Sequence, residues 1–180
     1  MVANPDHFQL FELAPRFALN LAELDRAYRS VQSQVHPDRF AAGTAAESRV
    51  AMQWATRANE AYRVLKSPLH RAAYLCERAG VPIEAESNTT MPPSFLVQQL
   101  EWREALDEAR MTNDGRALQA LEGGMVSERD RLLGEITSAL DVDGEPTRAA
   151  PLVRQLMFIE KFGSEVSTAQ DVLRSHGASA

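Results

Sequence analysis

The sequence predicts an all-α protein in two parts. The first is a module of four helices built on an antiparallel helical hairpin, and the second is a bundle of three longer helices. Three observations carry this expectation. Apolar residues recur at intervals of three and four, and runs of alternating β-branched residues are absent. Helix start and stop signals punctuate the chain at helical lengths. A proline-rich polar stretch, "VPIEAESNTTMPP", separates a compact first half from longer helices. With 44% hydrophobic and 24% charged residues over 180 positions, the chain can bury one sizeable core or two small ones.

The first element falls around Asp6–Leu13, with Phe8 and Phe11 as its anchors and Pro15 as its end. A second helix starts at Asn20, a good N-cap, with Glu23 three residues on as the other half of a capping box. Leu24, Tyr28, Val31 and Val35 then form one face, while Arg26, Arg29 and Ser33 lie off it. This helix must end near His36, because the residue before a proline avoids the α region. After a small-residue loop, Thr44 and Glu47 make a second capping box. The helix that follows carries Ala51, Ala55, Ala58, Tyr62 and Leu65 on one stripe, which pairs with the second helix. Ser67-Pro68 opens a fourth helix, with serine as cap and proline at the first position, and Gly80 closes it.

The expected divisions are residues 1–80, a linker at 81–92 and a three-helix domain at 93–175. The fifth helix starts near Pro93 and reaches Asn113. The sixth runs from Gly115 to Leu140, and Gly123-Gly124 should weaken or kink it. "DVDGEP" is a turn. In the last helix, Leu152, Leu156, Ile159, Gly163, Val166, Gln170 and Leu173 follow a seven-residue repeat, as in a bundle seam.

Several function classes are disfavoured. A net charge of −6 argues against a general affinity for nucleic acid or anionic membrane. A single cysteine, Cys76, cannot staple the fold or hold zinc or an iron–sulfur cluster by itself, and it fits a small core position. His7, His36, His70 and His176 show no metal spacing, so no cofactor or metal is expected. Glu104 and Glu108, one turn apart, read as surface charge rather than an acid–base pair. No signal or transit peptide and no apolar run of about 20 residues is visible, and the cytoplasm of a prokaryote fits best.

The tripeptide His36-Pro37-Asp38 taken alone is a helix stop with an Asx-type turn. It sits between two hairpin helices, after arginines on an outer face, with a short helix before the pair and a fourth after it. This arrangement resembles a J-domain, the module that docks on an HscA/DnaK-type ATPase chaperone and triggers ATP hydrolysis. Spacing alone would yield only a helical hairpin with a polar turn. The chemistry is compatible: Pro37 stiffens the loop, Asp38 can accept a charge-assisted hydrogen bond, and His36 can donate or accept one. Arg26, Arg29 and Arg39 add local positive charge that would steer an acidic partner. Their alternative is an ordinary solvated face, diluted by Glu23 and Asp25.

Most J-proteins carry a Gly/Phe-rich tract and cysteine-rich zinc repeats, and neither is present. Instead "PPSFLVQQLEWREALDEA", "LVRQLMFIEKF" and "PLHRAAYLCERAG" resemble the HscB family of co-chaperones in iron–sulfur cluster assembly. The resemblance runs from Phe8 to Phe162. It implies a C-terminal domain that holds an IscU-type scaffold for delivery to the chaperone, and it implies no enzymatic activity on this chain. The matching scaffold contacts are Leu96, Val97, Leu100, Glu101, Glu104, Glu108 and Phe158, with Val97 shorter than the side chain usual there. Some eukaryotic members add a cysteine-rich N-terminal region, which this chain lacks, so a bacterial form is expected.

A helical wheel bears on the same residues. At about 100° per residue, Phe95, Trp102, Leu106 and Ala109 cluster within roughly 80°, and the implied contacts on that helix fill a separate arc of roughly 140°. On the last helix Phe158 stands about 120° from the Leu152/Leu156/Ile159 seam, as a binding anchor would. The alternatives are that the first-half domain or a neighbouring helix covers Leu96 and Leu100, that a J-protein with a different client has the same layout, or that a helical enzyme or metal protein uses His36 and Asp38.

Overall fold

The structure is a computed structural model that describes residues 5–35, 44–83 and 91–177. Among them the chain forms seven α-helices and no strand: α1 (His7–Leu10), α2 (Leu21–Val35), α3 (Ala45–Lys66), α4 (Pro68–Arg78), α5 (Pro93–Thr112), α6 (Gly115–Thr137) and α7 (Pro146–Gly177). They divide into two compact units, residues 1–79 and 80–180.

In the first unit the caps set the boundaries. Asp6 accepts from the Gln9 amide while the Gln9 side chain returns to the Asp6 amide, a capping box that makes a helix of only four residues viable. Asn20 Oδ1 accepts from the amides of Ala22 and Glu23 at 3.0 and 3.4 Å. Thr44 and Glu47 form the expected reciprocal box. Ser67 caps α4, and Gly80 takes a φ of +79°, a region that glycine enters without steric cost.

α2 and α3 pack antiparallel. The Tyr28 and Tyr62 rings stack at 4.1 Å, and the Tyr28 hydroxyl donates to Asn59 at 2.8 Å. The Tyr62 hydroxyl donates to Asp25 at 2.7 Å, beside Lys66. Phe8 and Phe11 fill the core against Leu24, Ala61 and Leu65. Arg71 is buried: its Nε donates to the Phe17 carbonyl at 2.8 Å, Nη1 to the Leu65 carbonyl, and its guanidinium lies 5.2 Å over the Phe17 ring.

In the second unit α5 and α7 run parallel, and α6 runs antiparallel to both. Phe95 meets Phe158 and Trp102 meets Phe162, whereas Glu122 meets Gln170 and Arg129 lies 4.0 Å from Glu160. The α5–α6 reversal takes two residues. Asn113 adopts φ +52°, and Asp114 then caps α6 through the amides of Arg116 and Ala117.

Through the Gly123-Gly124 pair, where the sequence predicts a weaker or kinked turn, α6 remains one continuous helix. Leu121 and Met125, both buried, anchor the turn on either side, so packing offsets the low helix propensity of the glycines. The irregularity falls later, in a π-helical turn at Ser138–Val142, where the Asp143 amide bonds back to the Ser138 carbonyl. The buried stripe of α7 is broader than the expected seam: Leu156, Ile159 and Val166 are buried as the repeat predicts, Val153, Phe162 and Ala169 join them, and Leu152, Gly163 and Gln170 are only partly covered. A helix facing two partners buries a broader stripe than a single heptad seam, and Phe162 brings far more apolar area than Gly163.

The expected linker contains residues 84–90, which lie outside the described residues. Ile83, just before them, is buried, and its carbonyl accepts from Arg154 of α7 at 3.3 Å.

Candidate functional site

α5 has two faces. Phe95, Trp102, Leu106 and Ala109 are its buried residues, the set that helical geometry singles out. On the solvent side Leu96, Val97 and Leu100 are 49, 57 and 59% exposed. Glu101, Glu104 and Glu108 are exposed on the same side. Leaving three branched apolar side chains half exposed on one stretch of helix forgoes about half of the roughly 1.5–3 kcal/mol that full burial of each would bring. Apolar residues ringed by acids make an arrangement suited to another protein, with a dry centre and a charged rim. The alternative that neighbouring helices cover Leu96 and Leu100 does not hold in this structure.

Phe158 is placed differently from the expectation of a free-standing anchor. It is half-buried within an aromatic cluster: its ring meets Phe95 edge-on at 5.8 Å and stacks on Phe162 at 5.7 Å. Arg103 of α5 lies over both phenylalanine rings at 5.7 Å. Sequence reasoning missed Arg103. A guanidinium covers two rings only because α5 and α7 run side by side, a relation that spacing within one helix does not carry.

The first unit presents Arg26 and Arg29 on the exposed side of α2. Asp25, which would dilute their charge, is turned toward α3. The Tyr62 hydroxyl, then Lys66 and Arg29, hold its carboxyl below the usual carboxylate range. His36, Pro37, Asp38 and Arg39 lie outside the described residues.

Other chemistry finds little support. No group of three or more His, Cys, Asp or Glu side chains suited to a metal ion occurs among the described residues. Cys76 is fully buried, and burial pushes its thiol up to about 11, the reverse of an activated nucleophile. His7 stacks on Tyr74 at 4.3 Å, and burial lowers its pKa. No helix among the described residues is long and apolar enough to cross a membrane.

Comparison with known proteins agrees with this layout. A sequence model described as the HSCB C-terminal oligomerisation domain matches residues 91–167. A co-chaperone protein HscB homolog from Bordetella pertussis is 51% identical over 169 residues, covering 94% of this chain and 98% of the relative. One from Burkholderia multivorans is 54% identical over 167 residues, covering 92% of this chain and 95% of the relative. Chaperone HscB from Vibrio cholerae superposes with a TM-score of 0.81 at 32% identity, covering 94% of this chain and 99% of that one. Human co-chaperone protein HscB shares the fold, with a TM-score of 0.86 at 24% identity, over 93% of this chain and 83% of that one. With half its residues shared along almost the whole length, and a J-domain followed by a three-helix bundle, this chain belongs to the HscB co-chaperone family.

Proposed function

We propose that this chain is a bacterial cytoplasmic co-chaperone of iron–sulfur cluster assembly with two binding sites and no catalytic site of its own. The first site is the loop His36-Pro37-Asp38, flanked by Arg26, Arg29 and Arg39. It stimulates the ATPase of an HscA/DnaK-type chaperone. The second is the α5 face of Leu96, Val97, Leu100, Glu101, Glu104 and Glu108, bordered by Phe158 on α7. It holds an IscU-type scaffold and presents it to that chaperone. The J-domain and the scaffold together bias the chaperone toward its tight-binding state, which is a coupling between sites and requires no chemistry on this chain.

The observation that carries the reading is the exposure of Leu96, Val97 and Leu100 beside an acidic rim, on a helix whose opposite face is already buried. The test is a calorimetric titration of the purified chain with an IscU-type scaffold. Wild-type protein should bind, and Leu96→Ala with Phe158→Ala should weaken binding by about 2–4 kcal/mol. No binding at tens of micromolar would leave a J-protein serving some other client.

A further inference from the structure

A groove of about 700 Å³ opens directly beside the α5 face, along the seam with α6. Val97 and Glu101 belong to both surfaces. Phe95 and Leu152 supply apolar lining. The α6 wall carries Glu128, Arg131 and Glu135, with Arg131 held by Glu128 at 2.5 and 2.8 Å and by Glu135 one turn further on. Three carboxylates thus line the groove against one guanidinium. Glu101 has no cationic partner among the described residues. Each carboxylate on the α6 wall can accept more hydrogen bonds than Arg131 supplies.

We propose that the docking face continues across this seam, and that the groove takes a lysine or arginine side chain of the scaffold partner. The inference rests on the scaffold-binding reading above. The long methylene stem of a basic side chain suits the contact with Val97, Phe95 and Leu152, and its charged end suits the space between Glu101 and the α6 carboxylates. An acidic or neutral polar side chain would meet net negative charge there. Arg131 sets the depth of that potential: it neutralises part of the wall and fixes Glu128 and Glu135 in place.

Two variants move the potential in opposite directions. Arg131→Gln removes the one cation among the described lining residues and releases two carboxylates. Glu128→Gln with Glu135→Gln leaves the guanidinium opposite Glu101 alone. In titrations with an IscU-type scaffold at low salt, the first should bind roughly tenfold tighter than wild type and the second roughly tenfold weaker. The salt dependence should steepen for the first and flatten for the second. Damage to the bundle would weaken both, so opposite signs separate the electrostatic role from a structural one. Equal affinities, or a loss in both variants while wild type binds, would overturn the groove and leave the α5 face standing. Failure of the wild type to bind would overturn the scaffold reading and this inference with it.

Discussion

Arg71 and Phe158 show how single residues divide between holding the fold and meeting a partner. Arg71 is an arginine in a small core, tied to the carbonyls of Phe17 and Leu65, so it closes the loop after α1 onto the end of α3. Arg71→Met would leave two carbonyls without their donor and should cost about 2–6 kcal/mol in urea unfolding, at roughly 1–3 for each buried group left unsatisfied. In the proposed reading Phe158 serves both ends. Its ring is part of the aromatic cluster under α5, so Phe158→Ala should lower the unfolding midpoint as well as scaffold affinity. Leu96→Ala, at a position that touches water, should lower affinity with stability nearly unchanged. None of the Arg71 contacts was legible in the sequence, because the guanidinium reaches carbonyls 54 and 6 residues away. The buried face of α5 was legible, because one helix and a period of 3.6 are enough to define it.

At the scale of elements, caps did most to set boundaries, and they titrate. Burial alone would raise the Asp6 carboxyl, but the Gln9 amide and Arg78 outweigh it and hold its pKa below the ordinary value of 3.8. At Glu47 the Thr44 amide, then the Thr44 hydroxyl, does the same. A carboxylate with a lower pKa in the folded state stabilises fully above its unfolded value, and that contribution is lost as pH falls through the folded value. Stability should therefore decline below about pH 4, and Asp6→Asn should make the decline shallower in thermal unfolding from pH 5 to pH 2. Glycine placement supplies a second element-scale prediction. Gly123 and Gly124 are exposed on α6, and a Cβ at either would meet nothing within 4 Å. Gly123→Ala and Gly124→Ala should each raise stability by about 0.5–1 kcal/mol, read as a higher melting temperature.

At the scale of the molecule, the chain divides into two compact units, and the proposed function gives each unit its own binding site. That separation has a consequence: damage in one should not cross to the other. His36→Gln should abolish ATPase stimulation in an assay with an HscA-type chaperone while scaffold affinity stays at the wild-type value. If both fall together, the two-site account fails. The division also keeps the arginines on α2 and the carboxylates on α5 in different units, as the two-site proposal requires of one acidic chain.

What the sequence by itself determined is everything that depends on neighbours along the chain. Helix number, the Thr44–Glu47 box, the Ser67-Pro68 start, the Gly80 stop and the two faces of α5 all follow from local spacing and backbone chemistry. Tertiary structure decided what depends on two helices at once. It widened the buried stripe of α7 to include Val153 and Phe162, because that helix must satisfy both α5 and α6. It carried α6 as one continuous helix through two glycines, with buried neighbours on either side. It drew Phe158 into an aromatic cluster under Arg103, and it opened a groove between Glu101 and the Arg131 clamp. The physical reason is the same in each case: helical periodicity says which residues share a face, and only packing says what that face meets.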